Sequence, residues 1–405
     1  MDAVVMAAGE GTRLRPLTST RPKPMLPVAG KPILEWNLEA LAGNGFKSAL
    51  LIVGYKKETI IDHFGKRFNG IKLHYIEQKE QLGTAHAISM AEGKVGENFL
   101  AMNGDLILPK KLISDFLSRN RKAKAENSLC LTRVNNPSQF GIVNLKGNTV
   151  SGIVEKPKKS TNNLANAGIY SFNSEIFDAI RSIEKSTRLE YEIPDALKLL
   201  IKEKKVHGFE CDDHCIDIGR PWDLLDANEI LLKNMNLKPE KAEVEKFAVV
   251  KGPVRIGKGT VIKSGSYIEG PCWIGENCVI GPSCYIRPHS SIGNNAHIGN
   301  AVEIKNSIIM DSTNIGHLSY VGDSIIGEGC NFGAGTKVAN LRVDNEEVRI
   351  EIKNELTASG RRKFGCLMGD GVRTGINVSI MPGRAIYPHA SVSAGSIVRN
   401  TIYTD

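Results

Sequence analysis

Two different periods divide the chain. Up to about residue 220, the apolar runs "DAVVMAA" (2–8), "SALLIVGY" (48–55), "IKLHYIEQ" (71–78), "ENFLAMNGD" (97–105) and "NSLCLTRV" (127–134) are short and bounded by turn residues, as strands are. Between them, "PILEWNLEALAGNG" (32–45) and "GTAHAISMAEGKV" (83–95) carry apolar residues at helical spacing. Such alternation predicts an α/β, Rossmann-like domain of parallel strands joined by helices. "RPWDLLDANEILLKNMN" (220–236) reads as an amphipathic helix, and the charged "LKPEKAEVEK" (237–246) as a linker.

From Val250 the period becomes six. Val250, Ile256, Ile262, Ile268, Ile274, Ile280, Ile286, Ile292, Ile298 and Ile304 recur at that spacing, and glycine follows five of them at 257, 275, 281, 293 and 299. The phase slips by one residue before Ile309, Ile315 and Val321, and again before Ile326, Phe332 and Val338. After an interruption it resumes as Met368, Thr374, Ile380, Ile386, Val392 and Val398. Hexapeptide repeats predict a parallel β-helix, taken as left-handed, with one apolar residue per hexad stacked inside. The expected organisation is a first domain over 1–222, a connecting helix and linker over 223–246, and the β-helix over 247–405.

The repeat disposes of two local signals. "GPVRIGKG" (252–259) nearly matches a phosphate-binding P-loop, but Gly259 stands where Ser or Thr would hold magnesium, and the hexads already account for its glycines. Cys272, Cys278 and Cys284, six apart, are expected to be small buried hydrophobes. Elsewhere Cys211, His214 and Cys215 resemble half of a zinc site, without a second ligand pair.

Composition is that of a soluble protein, 41% apolar and 24% charged. No apolar run nears the roughly 20 residues of a membrane span. The start reads as a first strand rather than a signal peptide, so a cytoplasmic location is expected, with neither membrane nor nucleic-acid partners. The net charge of +8 suits phosphorylated small molecules.

The first strand runs into "AAGEGTRLRPLTSTRPKPMLP" (7–27). Ala8, Gly9, Gly11 and Thr12 can bring backbone N–H groups to phosphate oxygens. Arg13, Arg15, Arg21 and Lys23 add positive charge for a pyrophosphate leaving group. Leu14 replaces the third glycine of a dinucleotide fingerprint. The stretch resembles the signature of sugar-1-phosphate nucleotidylyltransferases, and further family elements follow in order over residues 1 to 230. "EQKEQLGTAHA" (77–87) is similar to the segment that reads base and ribose, implying roles for Gln78, Gln81, Gly83 and Thr84. "NGD" (103–105) and "IDIGRPWD" (216–223) imply Asp105 and Asp217 as magnesium ligands. "FGIV", "VEKP" and "NAGIY" imply sugar contacts from Gly141, Glu155 and Asn166. The implied chemistry is attack by a sugar-1-phosphate oxygen on the α-phosphorus of UTP or dTTP, with Arg13 and Lys23 offsetting charge.

Within the repeat, "NIGHLSYVGD" (314–323) places a histidine where a solenoid needs none, whereas acetyl transfer to an amine needs a base. "YIRPHS", "AVEIKNS", "IGHLSYVGD", "GCNFGAG" and "KVANL" resemble, in order, the acetyltransferase half of bifunctional glucosamine-1-phosphate acetyltransferase/N-acetylglucosamine-1-phosphate uridylyltransferases. The resemblance implies His317 as general base and Arg287 and Lys305 as sugar-phosphate ligands. It implies that Tyr320 and Asn331 position the sugar, that Asn340 lies near the amine and acetyl group, and that Lys363 is a further phosphate-side lysine. Acetyl-CoA would be the donor and a homotrimer the assembly. The segment 341–362, longer and more charged than the bacterial connection, resembles the archaeal branch and reads as an extruded loop. Ile376 stands where the family uses a serine near acetyl-CoA, so contacts to the distal part of coenzyme A are unassigned. Two other readings remain: a nucleotidylyltransferase acting on glucose-1-phosphate, whose β-helix serves only assembly, and an inactive scaffold. Glucosamine and galactosamine are not distinguished.

Overall fold

The apolar runs of the first half become strands with nearly the bounds that their turn residues set: Asp2–Ala7, Ser48–Val53, Ile71–Glu77, Asn98–Asn103 and Asn127–Arg133. The computed structural model describes residues 1–211 and 215–404. Two units emerge, one of Met1–Glu10, Pro22–Met25 and Ile33–Asp217, the other of Gly11–Arg21, Leu26–Pro32 and everything from Ile218 onward.

A ten-stranded sheet organises the first unit. Asn98–Asn103, Asp2–Ala7, Ser48–Val53 and Ile71–Glu77 lie side by side and parallel. Alternate residues face opposite layers. Val5, Leu51 and Met102 join one buried cluster, while Val4, Ile52 and Ala101 join the other. Burial on both faces is why these strands read as unbroken apolar runs. Val206–Glu210 also pairs parallel with Asn127–Arg133, but other strands depart from the all-parallel expectation. Leu164–Asn173 runs antiparallel to both Asn98–Asn103 and Asn127–Arg133, and Gly141–Lys146 forms a hairpin with Thr149–Glu155.

The repeat builds three parallel sheets of eight, eight and seven strands. Each strand pairs with the strand one coil later, as in Ile262 with Ile280, Ile268 with Ile286 and Ile274 with Ile292, which is three hexads per coil. That is the arrangement a parallel β-helix requires. The apolar periodic residues from Ile256 to Val398 fill one continuous core, and Thr374 is buried at its own place in the series. A Cβ at Gly257 would lie 2.4 Å from the Gly275 carbonyl oxygen, so coil stacking, not a phosphate, demands that glycine. Cys272, Cys278 and Cys284 are buried as expected, and burial pushes the thiols of Cys272 and Cys284 up to about 12 and about 11.

Both phase slips fall at the same corner of the coil. Up to Ile292 partners are 18 residues apart, but Ser291 pairs with Ile308 and Ile308 with Ile325, a spacing of 17. The missing residue comes out of the turns at Asn306 and Asp323, both at positive φ. One coil further on, the same corner holds the insertion, since Ile326 pairs with Met368. The inserted segment is an ordered hairpin, Arg349–Ile352 against Glu355–Ala358, rather than an extruded loop. Its turn residues Lys353 and Asn354 both have positive φ, as a two-residue hairpin turn requires. Val348 and Ile350 are buried, and a Cβ at Gly383 would meet Val348 at 2.8 Å.

The helix at the head of the second unit, Pro221–Asn234, starts with proline in its first turn, and Asp223 accepts hydrogen bonds from the Gly219 and Arg220 N–H groups at 2.8 and 2.6 Å. Among the described residues, no helix is long and apolar enough to cross a membrane.

Candidate functional site

In the first unit the chain steps from Asp2–Ala7 outward to Ser48–Val53 and Ile71–Glu77, then returns to place Asn98–Asn103 on the other side of the first strand. Open α/β sheets bind ligands at the carboxyl ends of strands where the order reverses in this way. Ala8 and Gly9 leave one of those strand ends; Gly104 and Asp105 leave the other. Gly104 donates its N–H to the Met6 carbonyl at 2.8 Å, and a Cβ on it would sit 2.8 Å from that oxygen. Around Gly9, by contrast, a Cβ would meet nothing within 4 Å, which leaves room for a ligand against the backbone.

Lys23, on the short helix Lys23–Met25, is largely buried, and its Nζ lies 2.5 Å from Asp105 Oδ2 and 3.9 Å from Asp217 Oδ1. Pairing of Ile216–Asp217 with Leu106–Ile107 brings the two aspartates to one place although 112 residues (217 − 105) separate them. Asp105 Oδ1 is buried with no hydrogen-bond partner in the described structure. An orphaned carboxylate oxygen beside a second carboxylate fits magnesium, which takes oxygen ligands and completes its shell with water and phosphate. Among the described residues no cluster of three or more metal-ligating side chains occurs. Of the zinc-like trio, Cys211 Sγ accepts a hydrogen bond from the Cys130 thiol at 2.8 Å, and His214 lies outside the described residues.

The segments expected to read base and sugar both belong to this unit. Gln78 is buried, and its Nε2 reaches the Gly83 carbonyl at 3.2 Å and His86 Nδ1 at 2.9 Å. Gly83, with φ +103°, admits no side chain, because a Cβ would lie 2.4 Å from the Tyr191 carbonyl oxygen. Thr84 accepts the Ile193 N–H at 3.2 Å, while Gln81 remains exposed. Gly141 and Glu155 are cross-strand partners, and a Cβ at Gly141 would sit 2.8 Å from Glu155 Oε2 and 3.9 Å from Asn166. These three residues from separate motifs therefore converge. Asn166 donates to the Tyr170 hydroxyl at 2.8 Å and accepts the Gly168 N–H at 3.0 Å, at the bulge where strand register shifts.

Gly11–Arg21 clusters with the second unit. Gly11 adopts φ 70°, the left-handed turn that opens the helix Thr12–Leu14, and its carbonyl accepts Thr18 Oγ1 at 2.9 Å. Arg13 is exposed on this loop, as a phosphate ligand requires. Arg21 is differently placed. Its guanidinium is held by Asp370 at 2.6 Å and Glu328 at 2.8 Å, so it is engaged by protein carboxylates rather than presented to a leaving group.

The irregular corner of the second unit carries the other candidate site. Arg287 Nη1 donates to Glu303 at 2.9 Å, and Lys305 Nζ donates to Asp323 Oδ2 at 3.2 Å. Asn340 donates to the same Asp323 oxygen at 2.5 Å and to the Tyr320 hydroxyl at 3.2 Å, while Asn306 donates to Asp323 Oδ1 at 2.7 Å. Lys305 stands opposite Gly322, where a Cβ would lie 2.4 Å from the Tyr320 hydroxyl; glycine makes the space for that ring. Burial, then the Asp323 and Glu303 carboxylates, pushes the Tyr320 phenol up, which keeps its hydroxyl protonated. Arg287 is likewise held charged by Glu303.

His317, Asn331 and Lys363 stand outside this network. His317 sits exposed on the turn whose carbonyl accepts the Gly335 N–H at 2.8 Å, Asn331 accepts Asn314 Nδ2 at 2.7 Å, and exposed Lys363 pairs with Leu341 beside the inserted hairpin. Ile376 is 56% exposed. Asp323, the acceptor that gathers Lys305, Asn306 and Asn340, is the principal residue that sequence reasoning did not assign. The signal for it was the phase slip after Val321. Asp323→Ala is expected to raise KM for the amino-sugar phosphate in acetyl transfer on the order of tenfold, since two ligands lose a buried charged partner. Thiol-release kinetics would check this, and an unchanged KM would remove Asp323 from the site.

Residues 2–234 match the nucleotidyl transferase family model and residues 268–403 the GMPPB C-terminal domain model. A Methanococcus aeolicus protein named bifunctional protein GlmU is 44% identical over 406 residues, covering 100% of this chain and 96% of its own length. A Sulfurisphaera tokodaii protein named bifunctional sugar-1-phosphate nucleotidylyltransferase/acetyltransferase is 40% identical over 405 residues, covering 99% and 98%. A solved UDP-glucose pyrophosphorylase in complex with UDP-glucose, 24% identical, covers 58% of this chain and 99% of its own, with a TM-score of 0.53, and shares the fold of the first half. The chain belongs to the nucleotidyl transferase family and, along its whole length, to the bifunctional sugar-1-phosphate nucleotidylyltransferase/acetyltransferases.

Proposed function

We propose that the chain acetylates glucosamine-1-phosphate with acetyl-CoA and transfers a uridylyl group from UTP to the resulting sugar phosphate, releasing pyrophosphate. The observation that carries this reading is the presence of two separate cation–carboxylate centres, one around Lys23 and one around Asp323, each built from the motif set of one reaction.

In nucleotidylyl transfer, Ala8, Gly9, Gly11 and Thr12 cradle the triphosphate, while Gln78, Gln81, Gly83 and Thr84 hold the base and ribose. Gly141, Glu155 and Asn166 orient the sugar so that its phosphate oxygen lies in line with the α-phosphorus. That oxygen forms the new P–O bond as the bond to pyrophosphate breaks, and Arg13 and Lys23 offset the charge on the departing group. Magnesium held by Asp105 and Asp217 would neutralise phosphate charge. In acetyl transfer, Arg287, Lys305 and Lys363 hold the sugar phosphate, and Tyr320, Asn331 and Asn340 position the amine. The amine attacks the thioester carbonyl, His317 takes its proton, and the coenzyme A thiolate leaves. Because His317 and Asn331 lie outside the Asp323 network of one chain, the reading includes a homotrimer, with acetyl sites completed between copies of a left-handed β-helix. A cytoplasmic location goes with these substrates.

Thiol release from acetyl-CoA with glucosamine-1-phosphate, and pyrophosphate release with UTP, test both halves on one preparation. Both are expected. Pyrophosphate release without thiol release, with galactosamine-1-phosphate also offered, would leave a nucleotidylyltransferase whose β-helix serves assembly alone.

A further inference from the structure

The segment that carries the phosphate-binding motif is fastened to the β-helix by specific side chains on both flanks of Pro22–Met25. Downstream, the Ala29 N–H donates to Asn228 Oδ1 at 2.8 Å, Ser291 Oγ donates to the same oxygen at 2.6 Å, and Asn228 Nδ2 donates to the His289 carbonyl at 2.8 Å. A Cβ at Gly30, which has φ +80°, would lie 2.0 Å from the Trp273 ring, so the chain there rests directly on the indole. Arg255 covers that ring at 4.1 Å.

Upstream, Asp370 gathers the contacts. Its Oδ2 accepts Thr20 Oγ1 at 2.6 Å and Arg21 Nη2 at 2.6 Å, and its Oδ1 accepts the Glu328 N–H at 2.8 Å. The Arg21 and Asp370 side chains are 16% and 14% exposed, which shields the pair from the screening that weakens surface ion pairs. Burial opposes the Arg21 charge, yet the Asp370 and Glu328 carboxylates more than offset it and raise its pKa.

We propose that Asp370 is a positioning residue for nucleotidylyl transfer: through Thr20 and Arg21 it fixes the Gly11–Arg21 loop that presents Arg13, so that the reaction of the first motif set depends on a side chain of the β-helix. The proposal rests on reading Arg13 as a residue of nucleotidylyl transfer. Through Oδ1 Asp370 serves the coil as Asn294 and Asp311 do at the same position of earlier coils, each accepting the backbone N–H of the coil before; what sets Asp370 apart is that its Oδ2 is engaged by Thr20 and Arg21. Displacement of a phosphate ligand by a fraction of an ångström is enough to slow a reaction that depends on in-line geometry.

Asp370→Asn keeps the shape and removes the charge. Its kcat for pyrophosphate release is expected to fall on the order of tenfold, with KM for the sugar-1-phosphate and the rate of thiol release in the same preparation unchanged. Asp370→Glu should recover part of the loss. Arg21→Gln should reproduce it, and the double variant should be no slower than either single one, because both substitutions break the same link. Wild-type kcat in Asp370→Asn would overturn the proposal. So would losses that multiply in the double variant, or a parallel loss of thiol release, which would mean general damage to the coil. Arg13→Ala, measured alongside, separates the failures. If Arg13→Ala is slow and Asp370→Asn is not, the positioning role alone falls; if Arg13→Ala turns over normally, the reading of the loop falls and the proposal with it.

Discussion

Lys23→Ala is expected to reduce nucleotidylyl transfer by about a thousandfold, comparable to losing a principal electrostatic stabiliser of developing charge, or roughly 4 kcal/mol of transition-state stabilisation. The Lys23 ammonium lies against Asp105 and near Asp217, in a place where one Asp105 oxygen has no hydrogen-bond partner among the described residues. Removing the lysine leaves two carboxylates facing each other without a fixed cation. The loss should appear in kcat, because in the proposed reaction the ammonium would act on a leaving group that gains charge only as the bond breaks. Asp105→Ala should remove most turnover as well. Thiol release by both variants should match wild type, and that control separates lost chemistry from lost folding. Near wild-type pyrophosphate release in purified Lys23→Ala would withdraw the assignment.

His317→Ala is expected to lower acetyl transfer by about a hundredfold to ten-thousandfold, the usual contribution of a positioned general base, and to leave nucleotidylyl transfer intact. The ring is exposed on a turn of the solenoid, and no side-chain partner for it occurs among the described residues, so its removal costs the coil little. A stability change as large as the rate change would point instead to a packing role. Thiol release measured with melting temperature distinguishes the two. Retained thiol release would leave the amine without its proposed base and would shift attention to the Tyr320–Asp323–Asn340 network.

The β-helix was legible because its inward column is nearly uniform: Ile262, Ile268, Ile274, Ile280 and Ile286 are all fully buried, and a period of six has no competing explanation. The parallel core of the first sheet was legible for a related reason, since burial on both faces leaves continuous apolar runs. The antiparallel strands Gly141–Lys146, Thr149–Glu155 and Leu164–Asn173 were visible only as motif fragments, because register shifts at Asn144/Leu145 and between Asn166 and Tyr170 interrupt the alternation that would mark a strand. The expected site residues were named from contiguous motifs, whereas Asp323, although it ends one of them, and Asp370 were not singled out. Each works by accepting hydrogen bonds from residues of other coils or of the amino-terminal loop, and that is a relation between segments which no single stretch of sequence displays.

The corner at Asn306, Asp323 and the inserted hairpin has a consequence for how such a chain can change. The coils up to Ile304 repeat the same inward isoleucine, so much of the solenoid is interchangeable scaffolding that tolerates drift on its outer surface. The three successive layers at this corner are not interchangeable, because each is individually shortened or extended. Position here is indexed by coil, and duplication or loss of a coil elsewhere would lengthen or shorten the column without touching the Lys305–Asp323–Asn340 network. A change of a single residue in either tight turn would rewrite it.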